Sequence, residues 1–459
     1  MNTRRLINVT VLIGVLFTAD KAVGLVRQLI VAQAYGVGAA LDAYNAANNL
    51  PDTLYTVISG GALAVAFIPL LSAALERQGR PALWELFSLV ANLALVITGA
   101  LSVAIGLFAL PLVQNVVVPG FGPEQQRLVA DLMRLNLLAT LLFSLSGLVA
   151  AGLQANQHFL LPALAPLIYD LGQIAGILFL GPADRLADAW GQWPVVGPAL
   201  GAALSGLARV GVDLGIYGFA YGTVLGAALH LAVQVPGLLR HGFRWTPRLT
   251  VLHAGVQQVL RLMGPRVLTV AGFSAIFILN DRWASAFDEG SISALSFGWL
   301  IMQLPQTLIG TAGGIALLPT LSELAAAGRA AEVRSLLRRA LWLMTALTAP
   351  MTLAAWPALP VVTDLIFDAR AAQVALAGQM FMVGLVGHTL KEVTARAFYA
   401  HRDAWTPLGT VLLNLAAFVA LALALMPALG FAALALANSL SFTLEAGVML
   451  VILLRRKVL

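Results

Sequence analysis

Long apolar stretches, interrupted only by short polar or Pro- and Gly-containing segments, run through almost the whole chain. A helix needs roughly 20 apolar residues to cross the hydrocarbon core of a bilayer, and in lipid only helices and closed barrels pair all their backbone polar groups. Only 10% of the residues are charged, against about 25% in soluble domains. The sequence therefore predicts an all-α polytopic membrane protein with about twelve transmembrane helices. The predicted spans are residues 6–34, 42–74, 84–112, 126–153, 159–181, 215–238, 263–287, 291–323, 337–365, 372–398, 406–426 and 430–454.

The basic residues are distributed unevenly among the segments that connect these spans. If the N-terminus is inside, seventeen arginines and lysines fall in inner segments and five in outer segments. Basic residues accumulate on the cytoplasmic side of membrane proteins, so this bias predicts that both termini are cytoplasmic. The net charge of +6 is spread over these short loops, without the contiguous basic surface that nucleic acid requires.

A motif in the second predicted span recurs in the eighth. Residues 50–54 read LPDTL and residues 304–308 read LPQTL, and each copy is followed by a Gly-Gly pair and a second proline. Six spans per half, with matching elements in the same direction, are typical of parallel repeats related by an axis along the membrane normal. We predict two six-helix lobes with parallel pseudo-two-fold symmetry, residues 1–240 and 241–459, facing a central cavity. The first lobe has an extracytoplasmic insertion at 182–214.

Charged residues in the first two spans are the main candidates for substrate binding. A charge at the bilayer centre costs at least about 2.5 kcal/mol and needs a partner, a cavity or a function. Lys21 and Arg27 form one hypothesis, a cationic pocket for a phosphate-bearing headgroup, with Gly24 permitting the bend that would bring them together. The alternative is that Asp20 or Asp42 neutralises them as a buried ion pair.

The second half contains weaker candidates. The tenth span carries His388, Lys391, Glu392 and Arg396. The Lys391 and Arg396 side chains are interpreted as extending to the cytoplasmic interface. A further hypothesis is that polar side chains in this half provide oxygen ligands or a protonatable carboxylate for ion coupling. Asp170 in the fifth span is another candidate proton carrier. The residues predicted for ion coupling are Asn280, Asp281 and Asn414, together with Glu445.

Several chemistries have no residues to support them. The chain has no cysteine, and it has neither a Walker A sequence nor the HExxH and GxSxG motifs. We therefore predict that it is not an enzyme and holds no cofactor or metal. Energy for transport is expected from Na⁺, H⁺, the membrane potential or the substrate gradient.

Short motifs along nearly the whole chain resemble the MurJ/MviN lipid II flippases of the multidrug/oligosaccharidyl-lipid/polysaccharide exporter superfamily. They are Gly24-Leu25-Val26-Arg27, Tyr35-Gly36, Asp42-Ala43, Leu50-Pro51, Gly61-Ala62, Ala66-Phe67-Ile68-Pro69, Pro119-Gly120-Phe121, the stretch 156–162 followed by Ala165-Pro166, Leu317-Leu318-Pro319, and Phe398-Tyr399 followed by Asp403 and Thr406-Pro407. The resemblance implies a bacterial inner-membrane flippase that moves the undecaprenyl-pyrophosphate-linked peptidoglycan precursor outward by alternating access. It also implies a role in cell wall biogenesis and cell shape, with cell-wall synthesis proteins as partners.

The resemblance assigns substrate binding to particular positions of this chain. Arg27 matches a cavity arginine, Lys21 matches another, and Asp42 matches an acidic residue of the family. Tyr55 and Trp299 stand where the family has cavity arginines, and are expected to stack on sugar rings or to fill space.

Other departures from the family concern the substrate and the length of the chain. Gly60 replaces a glutamate, and the 459 residues include no counterpart of the family's last two helices. The alternatives to lipid II are export of another polyprenyl-linked glycan or lipid, and a scaffold in envelope assembly that transports nothing.

Overall fold

A computed structural model describes residues 3–58, 61–191, 197–367, 370–401, 403 and 405–459. All regular elements in these ranges are helices. The α-helices are α1 (Thr3–Tyr35), α2 (Ala39–Ile58), α3 (Gly61–Gln78), α4 (Arg80–Leu107), α5 (Ala109–Leu112), α6 (Pro123–Ala155), α7 (Leu160–Leu180), α8 (Ala183–Gly191), α9 (Gly197–Ala208), α10 (Ile216–Ala232), α11 (Val235–Arg240), α12 (Ala254–Ala284), α13 (Ser291–Pro305), α14 (Ala312–Ala326), α15 (Ala330–Ile366), α16 (Ala371–Met382), α17 (Leu385–Ala400), α18 (Trp405–Leu429) and α19 (Ala432–Arg455). Two π-helical segments, Val113–Val117 and Gln306–Thr311, lie between them.

The described helices confirm an all-α polytopic membrane protein. Nine are long and apolar enough to cross a membrane, or ten if α16 and α17, which are bent by 44° at a short break, form one span. These ten correspond in order to the last ten predicted spans. The first two predicted spans are helical as well, as α1 and as α2 followed by α3. Gly60 lies outside the described residues.

The chain forms two compact units. Unit 1 comprises Met1–Gly36, Ala46–Val117 and Phe121–Val270, and unit 2 comprises Val37–Asn45, Val118–Gly120 and Ala271–Leu459. The division into lobes at residue 240, and their pseudo-two-fold symmetry, stay predictions.

Glycines bring two helices of unit 1 into backbone contact. A Cβ at Gly176 of α7 would collide with Gly222 of α10, and a Cβ at Gly172 would collide with Gly226. Small residues at a helix interface allow such close approach, which increases van der Waals contact where lipid supplies no hydrophobic driving force. This contact places the polar residues on the same stretch of α7 next to α10.

The described residues of the predicted insertion include two helices in unit 1. Helices α8 and α9 pack against each other, and a Cβ at Gly201 would lie 3.0 Å from the Cα of Gly191. Residues 192–196, between the two helices, are outside the described ranges.

A proline and a π-helical segment interrupt the eighth predicted span in unit 2. Pro305 ends α13, Gln306–Thr311 follows as the π-helical segment, and α14 continues the span. Proline cannot donate a backbone hydrogen bond, and π-helical turns often accompany such interruptions. The Gly-Gly pair of this repeat leaves room for side chains of neighbouring helices: Gly313 faces Met344, and Gly314 faces Arg396.

Candidate functional site

Arg27 of α1 is the centre of a polar network in unit 1. Its Nη1 donates hydrogen bonds of 2.6 Å to Asp170 Oδ1 and 2.6 Å to Gln173 Oε1, both on α7. Gln173 Nε2 donates in turn to Thr223 Oγ1 on α10 at 2.8 Å. The side chains of Arg27 and Asp170 are only 18% and 8% exposed. The guanidinium is thus largely buried and has a counterion, as a charge inside a membrane span requires.

The acidic partner of Arg27 is Asp170, which corrects the alternative of a pair with Asp20 or Asp42. The residues that sequence reasoning did not connect to Arg27 are Asp170, which it treated as a proton carrier, and Gln173. A signal was present, since Asp170 is the only charged residue in predicted span 159–181. An isolated acid in an apolar span needs a partner of opposite charge.

Lys21 has different surroundings from Arg27. Its Nζ lies 3.1 Å from Asp20 Oδ2, and the two side chains are 63% and 13% exposed. The ammonium also lies 5.3 Å from the centroid of the Phe17 ring. A pair with Asp20 was the predicted alternative, and it is present, although Lys21 is exposed. Lys21 and Arg27 therefore share one unbroken helix, α1, but have separate partners.

Asp42 holds the beginning of α13 within unit 2. Its Oδ2 accepts a hydrogen bond of 2.6 Å from the backbone N of Gly290, and its Oδ1 accepts from the backbone N and the hydroxyl of Ser293 at 2.6 and 2.5 Å. The residue is 1% exposed. Unpaired N–H groups at the start of a helix favour a carboxylate. The structure therefore gives Asp42 an anchoring position, and it pairs with neither Lys21 nor Arg27.

Tyr55 and Trp299 each lie in an aromatic cluster of their own unit. In unit 1, Tyr55 packs against Phe143 with ring centroids 5.6 Å apart. In unit 2, Trp299 contacts Phe277 and His388 edge to face, at centroid distances of 5.4 Å in both cases. Both aromatic side chains thus have ring partners, and both are only partly buried.

Lys391 of α17 points into unit 2, which corrects the interpretation that it extends to the interface. Its Nζ lies 5.8 Å from the ring centroid of Phe273 and 5.5 Å from that of Phe442. The side chain is 18% exposed. Contacts of this length between an ammonium and ring faces are cation–π interactions.

The residues predicted for ion coupling form two groups of hydrogen bonds in unit 2. Asn280 Nδ2 donates to Asp281 Oδ1 at 3.4 Å. Asn414 Nδ2 donates to Glu445 Oε2 at 2.6 Å, and Thr410 Oγ1 donates to Glu445 Oε1 at 3.2 Å. Glu445 is fully buried. Within the described ranges, no group of three or more His, Asp or Glu residues is placed to hold a metal ion.

Comparison with known proteins gives consistent matches. The family model for "Lipid II flippase MurJ" matches residues 31–459. The lipid II flippase MurJ of Burkholderia cenocepacia is 28% identical over 400 residues, which are 84% of this chain and 72% of that protein. The probable lipid II flippase MurJ of Rhizobium tropici is 26% identical over 449 residues, 94% of this chain and 78% of that protein.

Solved structures show the same fold. A lipid II flippase MurJ in an inward closed conformation matches with a TM-score of 0.74 at 18% identity, over 96% of this chain and 87% of that one. An inward-facing MATE family multidrug resistance transporter of the MOP superfamily matches with a TM-score of 0.72 at 15% identity, over 96% and 94% of the two chains. With the family model matching nearly the whole chain, this multi-pass membrane protein belongs to the lipid II flippase MurJ family.

Proposed function

We propose that this chain translocates lipid II, the undecaprenyl-pyrophosphate-linked peptidoglycan precursor, from the inner to the outer leaflet of a bacterial inner membrane by alternating access. Family membership and the names of the relatives support the substrate class. The observation that carries the proposal is the Arg27 network, because the guanidinium of α1 is held in a fixed position by an acid and an amide of α7. Arginine is well suited to phosphate, since it donates charge-assisted and often bidentate hydrogen bonds.

The hydrogen bonds of Arg27 determine how a pyrophosphate could bind to its guanidinium. Both hydrogen bonds of 2.6 Å leave from the same nitrogen, Nη1. A phosphate oxygen has to share the guanidinium with Asp170 or displace it. We therefore assign Asp170 as the group that holds Arg27 in position between substrate molecules, with Lys21 as a more exposed second cation.

Glu445 supports coupling to H⁺ or Na⁺. It is 0% exposed, and its hydrogen-bond donors, Thr410 and Asn414, are neutral. Within the described residues it has no cationic side chain within 4.0 Å, and a buried carboxylate without a counter-charge is costly. A proton or a monovalent cation at Glu445 would remove this cost, and it would make occupancy sensitive to the ion gradient.

The remaining assignments follow the proposed transport. The distribution of arginine and lysine supports a cytoplasmic location for both termini. The chain is assigned no catalytic reaction, and its partners are the membrane, the glycolipid and cell-wall synthesis proteins.

Complementation tests the proposal. The chain is expressed in a bacterium depleted of its own lipid II flippase, beside Arg27→Ala, and growth, lysis and membrane expression are followed. We expect rescue by the unaltered chain and loss of rescue with Arg27→Ala. Arg134→Ala is the matched control, because Arg134 makes an ion pair of the same 2.6 Å length on an exposed surface.

The other outcomes are equally informative. Failure of the unaltered chain despite normal membrane expression would reject lipid II, leaving another lipid-linked substrate or a scaffold. Full rescue by Arg27→Ala would show that transport does not depend on the Arg27 network.

A further inference from the structure

The charges around Arg27 cancel within unit 1. Arg27 is paired with Asp170 and Lys21 with Asp20, and Asp170 also interacts electrostatically with Asp20 and Lys21. These are two cations and two anions, so the cluster has no net positive charge while all four are ionised. An anionic headgroup gains little long-range attraction from a neutral cluster.

The corresponding cluster on α17 in unit 2 has a surplus cation. Glu392 lies 3.2 Å from Arg396 but 3.9 Å from Lys391. The carboxylate is therefore engaged mainly by Arg396, and it makes no hydrogen bond to Lys391. Among the described side chains of this cluster, two cations share one anion.

The surroundings of Lys391 suit a phosphate attached to a sugar. Its ammonium lies beside the rings of Phe273 and Phe442. The nearest paired carboxylate, that of Glu392, is 3.9 Å away, which is beyond hydrogen-bond distance. His388 stacks on Phe442 at 4.1 Å, and Trp299 contacts His388. Phe442 and His388 are buried, at 2% and 4% exposed, whereas Trp299 is partly exposed. The Trp299 ring is therefore the aromatic face against which the C–H face of a sugar ring can pack.

We propose that Lys391 is a phosphate-binding and specificity-determining residue of this chain, and that Trp299 is the aromatic surface for the adjoining sugar. The buried rings of His388 and Phe442 connect the two, since His388 contacts Trp299 and Phe442 lies beside the Lys391 ammonium. The inference rests on the proposed function and extends it, because it adds Lys391 of α17, in unit 2, to the cations proposed to bind the pyrophosphate.

The chain has only three lysines, Lys21, Lys391 and Lys457, which makes lysine acylation a direct test. The purified full chain in phosphatidylcholine nanodiscs is treated with an acetylating reagent, and each lysine is quantified by mass spectrometry. The additions are lipid II, phosphatidylglycerol or inorganic pyrophosphate, with lipid II binding measured separately by native mass spectrometry. We expect saturating lipid II to slow acylation of Lys391 severalfold and to leave the exposed Lys457 unchanged.

Variants separate charge from shape. A hydrogen bond to a charged group contributes about 1.5–3 kcal/mol, so Lys391→Met is expected to weaken lipid II binding about tenfold or more. Lys391→Arg keeps the charge and should retain most of the affinity. Lys457→Met is the matched control and should bind like the unaltered chain.

Each other result overturns the proposal in a recognisable way. If lipid II binds but Lys391 is not protected, or if folded Lys391→Met binds normally, the site is wrong while the proposed function stands. Equal protection by phosphatidylglycerol would mean a phospholipid headgroup site only. If the unaltered chain binds no lipid II, the proposed function fails and the inference fails with it.

Discussion

Two arginine–aspartate pairs of equal length show how burial changes the role of a residue. Arg27–Asp170 and Arg134–Asp131 both have N···O distances of 2.6 Å, but the first pair is 18% and 8% exposed and the second 46% and 51%. Removing one partner of a buried pair costs about 3–5 kcal/mol because a charge is left uncompensated. An exposed pair contributes about 0–1 kcal/mol.

We therefore predict that Asp170→Asn lowers the free energy of unfolding by about 3 kcal/mol, and that Asp131→Asn changes it by less than about 1 kcal/mol. Thermal or denaturant unfolding of the purified variants measures both. The double variant Arg27→Met with Asp170→Asn should be less destabilised than the sum of its single changes, because no unpaired charge remains. Equal effects of Asp170→Asn and Asp131→Asn would contradict a special role for the buried pair.

Asp403 gives a residue-scale prediction that depends on pH. Partial burial would raise its pKa, but hydrogen bonds from Thr406 and the Arg456 guanidinium outweigh this and lower the pKa from 3.8 to about 2. Its Oδ1 accepts the backbone N–H groups of Trp405 and Thr406 at 3.0 and 2.9 Å. It therefore caps α18, while its Oδ2 accepts a bond of 2.6 Å from Arg456, just after α19.

A folded-state pKa below the unfolded value means that ionised Asp403 stabilises the fold. This contribution is complete above the unfolded pKa of 3.8 and is lost as the pH falls toward 2. Asp403→Asn should thus lower the melting temperature clearly at pH 7, and the difference from the unaltered chain should shrink between about pH 4 and pH 2. A constant difference over this range would show that the ionised form is not what stabilises the capped helix.

At the scale of elements, the contact between α7 and α10 depends on glycines that leave no room for a side chain. A Cβ at Gly176 would meet Gly222 Cα and lie 2.6 Å from Gly218 O, whereas a Cβ at Gly99 of α4 would meet nothing within 4 Å. The same substitution therefore has opposite expected effects at the two positions.

We predict that Gly176→Ala destabilises the protein by about 1–3 kcal/mol through overpacking, and that Gly99→Ala is neutral or stabilising by up to about 1 kcal/mol through helix propensity. Unfolding midpoints of the two variants provide the comparison. Because α7 contains Asp170 and Gln173, Gly176→Ala should also weaken the Arg27 network. Unchanged stability of Gly176→Ala would mean that the helices separate at no cost.

For the whole molecule, the charge bias makes an orientation prediction that the absence of cysteine makes simple to test. Gln78 lies at the end of α3 on the predicted cytoplasmic side, and Glu124 lies at the start of α6 on the predicted outer side; both are exposed. A membrane-impermeant maleimide applied to cells with a permeabilised outer membrane should label Glu124→Cys and not Gln78→Cys. After cell lysis it should label both. Labelling of Gln78→Cys but not Glu124→Cys before lysis would show that the predicted orientation in the membrane is reversed.

Local sequence determined the helices of this protein. Each span is a continuous apolar segment that must pair its own backbone groups in lipid, so its position follows from its own residues. The last ten predicted spans therefore match the described helices that are long and apolar enough to cross a membrane, and the described parts of the first two are helical. The start of α18 is equally local, since Asp403 is followed three residues later by its partner Thr406.

Tertiary structure alone decided which charges meet. Arg27 and Asp170 are 143 positions apart, and Asp42 lies 251 positions from Ser293. Helical periodicity indicates which residues share a face, but not which face meets which neighbouring helix. That choice depends on close packing, here on Gly24 of α1, where a Cβ would lie 3.1 Å from Asp170 Oδ2. The amino-acid sequence thus determined an all-α polytopic membrane protein with charged residues inside its predicted spans. Only the folded chain decided that Arg27 pairs with Asp170 while Lys391 lies against two aromatic rings.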